Sequence, residues 1–321
     1  MRILVTGSSG FLGGRISKYF LEKGHQVILG SSKKLPLKHD FKGVETAHTD
    51  WTNLESLENI CTDVDIIIHT VGMNVKDSEA DPIGALNINA VFTAALVQAA
   101  IKKKVKRFLY LSTIHVYTDT LQGSITEKYC PKNIHPYASS HRAAEDVVLS
   151  AKKYKKLDAK VIRVSNGFGY PVYKDTNCWM LLVNDLCKQA VENKKMILSS
   201  DGSQYRNFIS IAQICDVINH LVCSRTLNGN HDTIGAINVG SNETCTVLEM
   251  AKTIRERCNC VLGYKPELIT GKSVNKVKLE RLDYKIDKLI STGYKNYLNL
   301  SLEIDLLLKY CATEFVNNSD I

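Results

Sequence analysis

The sequence predicts an α/β protein built on a doubly wound parallel sheet, with a smaller α/β domain attached. Three observations lead there. Short β-branched apolar runs alternate with amphipathic stretches of helical period through the first half, which is the pattern of βαβ crossovers and a parallel sheet covered by helices on both faces. The first apolar run leads directly into a glycine-rich turn. The chain's 321 residues, 44% hydrophobic and 23% charged, suit one large domain, or two sharing a core, around a substantial interior.

In chain order, Arg2–Thr6, Gln26–Leu29, Asp65–His69, Arg107–Ser112 and Lys160–Val164 read as strands, because each is a short apolar run rich in branched side chains. Between them Phe11–Lys23, Leu54–Cys61, Ala85–Lys103 and Tyr137–Tyr154 carry helical period. The second half changes character. Cys178–Asn193 and Ile211–Cys223 read as helices flanking a loop, Ser199–Arg206, rich in turn residues. Ala236–Val239 reads as a short strand, and Val247–Cys258 and Ser301–Cys311 as helices before a frayed polar end. The expected domains are 1–165, to which about 205–242 returns, and 166–321.

Composition excludes several classes. No apolar run approaches the roughly 20 residues that span a bilayer, and residues 1–7 lack the apolar stretch and cleavage site of a signal peptide. The ten cysteines are scattered, and Cys258 and Cys260 form the only close pair, so no metal site is expected and the thiols fit a reducing, cytoplasmic setting. A formal net charge of +8 raises nucleic acid as a partner. The lysines, however, gather at 102–107 and 152–160, at predicted helix C-termini where cations favour the dipole, with no interleaved aromatics. Neither nucleic acid nor membrane is expected as a partner.

Thr6-Gly7-Ser8-Ser9-Gly10-Phe11-Leu12-Gly13 follows the first strand and opens the first helix. Glycines there permit a tight turn and close backbone approach to a pyrophosphate lying at the helix N-terminus. This is a Rossmann-type dinucleotide turn, and Gly7, Ser9, Gly10, Phe11, Leu12 and Gly13 become cofactor-binding candidates. The second strand ends Gly30-Ser31-Ser32-Lys33-Lys34 without an acidic residue to read a ribose 2′-hydroxyl. Ser31, Ser32 and Lys33 suit a 2′-phosphate better, which tilts the expectation to NADP over NAD. Asp50 and Trp51, after the expected third strand, are placed to meet adenine.

With these residues in place the chain resembles the extended short-chain dehydrogenase/reductases acting on nucleotide sugars, a family of epimerases, dehydratases and ketosugar reductases. The resemblance covers nearly the whole chain. His69-Thr70-Val71-Gly72 looks like the strand-four motif beside the cofactor, which implies cofactor contacts from Thr70, Val71 and Gly72, and Asn89 with Thr93 matches the following helix. Leu111-Ser112-Thr113-Ile114-His115-Val116-Tyr117 resembles the segment whose hydroxyl polarises the reacting C–O; spacing selects Thr113, with Ser112 its neighbour. Pro136-Tyr137-Ala138-Ser139-Ser140-His141 matches the start of the catalytic helix, and Glu145 follows it. Asn166, in Arg163-Val164-Ser165-Asn166-Gly167-Phe168-Gly169, is implied to contact substrate phosphate. Arg206, in the segment Asp201–Ile209, is implied to pair with the diphosphate, and Arg281 belongs to the substrate domain.

The resemblance implies that Tyr137 exchanges a proton with a sugar hydroxyl while hydride moves to or from nicotinamide. A free tyrosine, with a pKa of about 10, needs help near neutral pH. The family supplies a lysine four residues later, and this chain has His141 instead. Ile114-His115 stands where the 4,6-dehydratases carry Asp-Glu, which disfavours dehydration. His115 is either half of an additional acid–base pair or a structural histidine.

Oxidation or reduction at one carbon of a nucleoside-diphosphate sugar, with C4 first, is therefore the expected chemistry, in surface-polysaccharide biosynthesis. Redox-neutral 4-epimerisation is the enzymatic alternative, and a silent NAD(P)-binding scaffold is the alternative of another class. Substrate choice is expected to lie around 172–180 and 265–278. Apolar and small faces on Ala90–Lys103 and Ala138–Tyr154, through which similar family members pair, imply a homodimer.

Overall fold

The computed structural model describes residues 1–35, 39–155, 157–224, 235–242, 244–272, 280–295 and 299–316. Residues 273–278 of the expected specificity segment and the polar end after 316 lie outside them. The first half runs β1 (Arg2–Thr6), α1 (Phe11–Glu22), β2 (Gln26–Ser31), β3 (Glu45–His48), α2 (Leu54–Ile60), β4 (Ile66–His69), α3 (Val75–Ala80), α4 (Pro82–Ala85) and α5 (Phe92–Lys102). It continues through β5 (Arg107–Thr113), β6 (Gly123–Ile125), α6 (Pro136–Lys155) and β7 (Asp158–Val164). Then come β8 (Asn166–Phe168), α7 (Leu182–Asn193), β9 (Lys195–Leu198), β10 (Tyr205–Ser210), α8 (Ile211–Cys223), β11 (Ala236–Val239) and β12 (Thr244–Thr246). The chain closes with α9 (Val247–Leu262), β13 (Glu267–Thr270), β14 (Leu282–Tyr284), α10 (Asp287–Ser291) and α11 (Leu300–Phe315).

These elements fall into two compact units. The first comprises Met1–Asp119, Glu127–Val164 and Cys215–Val239. Its seven-stranded sheet has the order β11-β7-β5-β4-β1-β2-β3, and every pairing in it is parallel. A parallel sheet is covered on both faces, so its strands read as unbroken apolar runs: β4 and β5 are buried throughout. The Rossmann-type expectation holds. β3 is the exception that periodicity misses, since Glu45, Thr46, Ala47 and His48 form a mostly exposed edge strand held by pairing to β2. Leu4, Ile67, Phe108 and Val161 of the sheet pack with Leu96 of α5 and Val148 of α6 in one apolar core.

One expectation is corrected. Helix runs continuously over Pro82–Lys102, 21 residues, and by length and composition it is apolar enough to cross a membrane. The reading of single apolar runs missed it because Asn87, Asn89, Thr93 and Gln98 interrupt the hydrophobic residues. Leu96, Val97, Ala99 and Ala100 of this helix belong to the core of the first unit. Its middle, Leu86–Val91, is a π-helical turn, an insertion that rotates the residues on either side relative to a regular helix.

The second unit comprises Thr120–Thr126, Ser165–Ile214 and Gly240–Ile321. A three-stranded sheet, β12-β10-β8, is joined by the parallel pairs β13-β9 and β14-β6. Helices α7, α9 and α11 supply its core through Leu186, Cys187, Ile254, Cys258, Leu307 and Cys311. The α9 start is fixed by a capping box between Thr246 and Glu249. Helix α7 begins at Leu182 rather than Cys178, because Cys178 and Leu181 donate to Thr176 and Cys178 carbonyls in a preceding turn.

Candidate active site

The glycine turn builds an anion cradle. Gly7 sits at φ +81°, in the left-handed region, and a Cβ there would stand 2.7 Å from Thr70 Oγ1. A Cβ on Gly13 would lie 2.1 Å from the Gly7 carbonyl oxygen, so only glycine lets α1 press onto the turn. Gly10 is the N-cap of α1 and contributes no side-chain cap. The first N–H groups of the helix, beginning with Phe11 and Leu12, thus keep their donor capacity for an anion at the positive end of the dipole. This combination fits a dinucleotide pyrophosphate.

The end of β2 lies beside that turn: Gly7 and Ser8 donate to the Gly30 carbonyl, and Ser31 Oγ stands 3.4 Å from Ser9 Oγ while accepting from Lys33 N. Ser32 and Lys33 are exposed. Asp50 and Trp51 each have partners within the chain. The Asp50 carboxylate accepts from Thr52 N and Oγ1, which hold it below its ordinary pKa, and Trp51 stacks on Phe92 with ring centroids 5.3 Å apart.

The strand-four motif is clamped from both sides by a buried polar chain. Thr70 Oγ1 donates to the Thr6 carbonyl at 2.8 Å. His69, fully buried, contacts Thr6 Oγ1 through Nδ1 at 2.6 Å and Thr93 Oγ1 through Nε2 at 3.0 Å. Thr93 gives its hydroxyl proton to the Asn89 carbonyl, so its oxygen accepts from Nε2–H and Thr6 donates to Nδ1. Asn89, within the π turn, accepts from Met73 N and donates to Ser140 Oγ, both at 2.8 Å. Ser140 donates to the Tyr137 carbonyl. An uninterrupted chain therefore links β1, β4, the long helix and the first turn of α6. Burial pushes the His69 imidazole down to about 3, with His141 adding to it, so it is neutral.

Tyr137, His141 and Glu145 follow one another at successive turns of α6, on one face. The Tyr137 phenol hydrogen-bonds to the Thr113 side chain; burial raises its pKa above 10.0 and that bond lowers it in part. Thr113 Oγ1 also accepts from His115 N, and the His115 ring stands edge-on to Tyr137 at 6.4 Å. Ser112 faces elsewhere: its hydroxyl donates to Glu145 at 2.6 Å, and Arg163 grips both oxygens of the same carboxylate. The reason is register, since Ser112 and Arg163 are paired across β5 and β7 and present side chains to the same face. His141 lies with its ring 4.7 Å from that of Tyr137, and Nε2 and Cε1 are the neighbours a Cβ on Gly72 would meet. Its Nδ1 contacts the hydroxyl of Tyr110 at 2.6 Å. Tyr110 is the residue that sequence reasoning passed over, as one more apolar position of β5; the available signal was a hydroxyl within a run buried on both faces.

In the second unit Arg206 reaches Asn166 Oδ1 at 3.3 Å, and Asn166 Nδ2 donates to the Asn207 carbonyl. Parallel pairing of β8 with β10 sets these neighbours. Burial lowers the Arg206 pKa, and the guanidinium has no acidic partner among the described residues. Arg281 Nη2 reaches the carbonyl of Thr244, on the strand whose Cys245 pairs with Arg206. Among the described residues no group of three or more His, Cys, Asp and Glu could hold a metal ion.

A parallel sheet, a glycine cradle at its first helix and a tyrosine–threonine pair at the end of β5 define a nucleotide-binding protein of the extended short-chain type. Residues 3–240 match the NAD dependent epimerase/dehydratase family, and the chain belongs to it. Among similar proteins, UDP-glucuronic acid decarboxylase 4 of Arabidopsis thaliana is 25% identical over 279 residues, 83% of this chain and 60% of that protein. The chain therefore matches only about three-fifths of that relative's length. Low-salt glycan biosynthesis protein Agl12 of Haloferax volcanii is 24% identical over 270 residues, covering 80% of this chain and 82% of that one. Among solved structures, UDP-glucose 4-epimerase of Thermus thermophilus, in complex with NAD, superposes with a TM-score of 0.81 at 21% identity over 98% of this chain and all of that one.

Proposed function

We propose that the protein uses NAD(P) to change the oxidation state of one carbon, C4, of a nucleoside-diphosphate sugar, in the assembly of a surface polysaccharide within the cytoplasm. The observation that carries this reading is the Tyr137 phenol hydrogen-bonded to Thr113 in the same unit as the dinucleotide cradle. When bound, the nicotinamide exchanges a hydride with the sugar carbon. The chain's own residues do the rest. The turn from Gly7 to Gly13 and the α1 N-terminus hold pyrophosphate, while Thr113 orients and polarises the reacting C–O. Tyr137 moves the proton on that oxygen. Arg206, half-buried and without a carboxylate partner among the described residues, supports binding of a substrate diphosphate, with Asn166 and Arg281 beside its strand.

Ser31, Ser32 and Lys33 favour NADP, whereas the similar epimerase was solved with NAD; comparing the affinities of the two nucleotides decides. The likeness to decarboxylases and 4-epimerases supports C4, because oxidation there also activates a neighbouring carboxylate or inverts the centre on return. A second copy of the chain is proposed to cover Ile83, Leu86 and Val91, exposed apolar residues of the long helix, and sedimentation gives the mass.

The experiment is nicotinamide absorbance with a panel of nucleotide sugars, their 4-keto forms and a nucleotide uronic acid, each with NAD(H) and NADP(H). A signal with one sugar and one cofactor supports the reading. Silence with isomerised product points to 4-epimerisation, and silence with unchanged sugar to a binding protein.

A further inference from the structure

The position that the family fills with lysine holds a histidine, and the structure determines which form of that histidine is present. Tyr110 Oη has one hydrogen-bond partner among the described residues, Nδ1 of His141 at 2.6 Å. If Nδ1 carried the proton and Tyr110 accepted it, the phenolic proton of Tyr110 would be buried with no acceptor, a costly arrangement. The bond is satisfied in one sense only: Tyr110 donates, Nδ1 accepts and the imidazole proton resides on Nε2. Tyr110 is completely buried, so it cannot turn to water for another acceptor.

We propose that Tyr110 is a positioning residue of the site: it locks His141 as the neutral Nε2–H tautomer, so that the group beside Tyr137 offers a hydrogen-bond donor without positive charge. The inference rests on the nucleotide-sugar redox reading for its kinetic consequence, though not for its structural part.

The titratable surroundings of His141 are consistent with a neutral ring. Tyr110 faces it from β5, Tyr137 from its own helix, His115 from the turn after β5 and His69 from β4. Glu145, one turn along α6, has its charge taken up by Arg163. Burial, with a contribution from His115, pushes His141 down to about 4. Burial also holds Tyr110 far above the ordinary tyrosine range, so it remains a donor. No cation then replaces the family's ammonium, and Tyr137 stays protonated through neutral pH. In reduction, the carbonyl carbon gains a hydride from the reduced nicotinamide, its oxygen gains the Tyr137 proton, and the resulting phenolate is reprotonated from water. In oxidation, the phenolate must form first. The oxidation rate therefore climbs about tenfold per pH unit until Tyr137 ionises at alkaline pH, while the reduction rate stays level over the same range.

The test begins with histidine side-chain 15N correlation spectra of the cofactor-free protein. His141 is expected to show an unprotonated Nδ1 and a protonated Nε2, unchanged from about pH 5 to about pH 9. Titration near 6.5, or a protonated Nδ1, overturns the proposal. Tyr110→Phe is expected to release the tautomer, giving a mixed His141 signal; an unaltered Nε2–H signal overturns the role of Tyr110. Should that variant fail to fold, His141→Lys supplies the second arm. Its break in the pH–rate profile for oxidation is expected at least about one unit below that of the wild type, and an unmoved break overturns the charge argument. A protein with no turnover would defeat the functional reading alone, because the spectra need no substrate.

Discussion

Thr113 combines two jobs in one hydroxyl, accepting from His115 N and bonding the Tyr137 phenol. Thr113→Val keeps the shape and removes both. The expected loss is about a hundredfold or more in kcat, the range seen when a single oriented donor to a reacting oxygen is lost, with nucleotide affinity unchanged by fluorescence titration. Comparable loss of affinity and rate would place Thr113 in the scaffold instead. Arg206→Met should separate in the opposite direction. Removing a guanidinium that has no acidic partner leaves no stranded carboxylate, so stability holds while KM for the nucleotide sugar rises at least about tenfold. Both residues stood out in the sequence through the family resemblance, Thr113 by its spacing to Tyr117 and Arg206 by its place in the segment Asp201–Ile209. Tyr110 did not, because nothing in an apolar run tells which of its aromatic residues has a buried partner on another helix.

At the scale of elements, the pairing of β5 with α6 rests on matched advances. Two residues of strand and four of helix each progress roughly 6 to 7 Å, so Tyr110 and Ser112 meet His141 and Glu145 in turn. That match is invisible without knowing which helix covers which strand. The π turn at Leu86–Val91 was equally hidden, since one extra residue per turn leaves no mark on composition, yet it holds Asn89. The α1 turn, by contrast, was readable from its glycines. Gly13→Ala is the sharpest test of it: the added Cβ meets backbone at 2.1 Å from Gly7 O. The expected result is at least about a tenfold rise in the dissociation constant for the dinucleotide, since the turn must shift from the position that aims its N–H groups. Unchanged affinity would mean that the helix can retreat without moving the cradle.

For the molecule as a whole, two neutral imidazoles buried in the first unit set its response to acid. His69 and His141 stand at about 3 and about 4 in the folded chain, against about 6.5 when unfolded. The unfolded chain binds protons more readily between those values, so their contribution to stability is complete above about pH 6.5 and is lost as pH falls toward 4. From about pH 7 to about pH 5 the loss is on the order of 4 kcal/mol, at 1.36 kcal/mol per unit for each of two groups. Urea titrations at the two pH values check it; equal midpoints would mean that the histidines gain protons without unfolding. The parallel sheet was legible because its strands, the edge strand β3 excepted, are apolar on both faces. The second unit was less so: most of its strands have only three or four residues and are stabilised by partners distant in sequence, such as Gly123–Ile125 with Leu282–Tyr284.

The chain from Thr6 to the Tyr137 carbonyl has one further property. Every donor in it points the same way, from hydroxyl to imidazole to hydroxyl to carbonyl, and then from the Asn89 amide to Ser140. Its fourth member is an amide, which neither gains nor releases a proton near neutral pH. The row therefore behaves as an electrical insulator with a fixed polarity: it registers position across the sheet but cannot conduct a proton. It ends on the Tyr137 backbone carbonyl and not on the phenol, so it fixes the helix in place and takes no part in recharging the phenol.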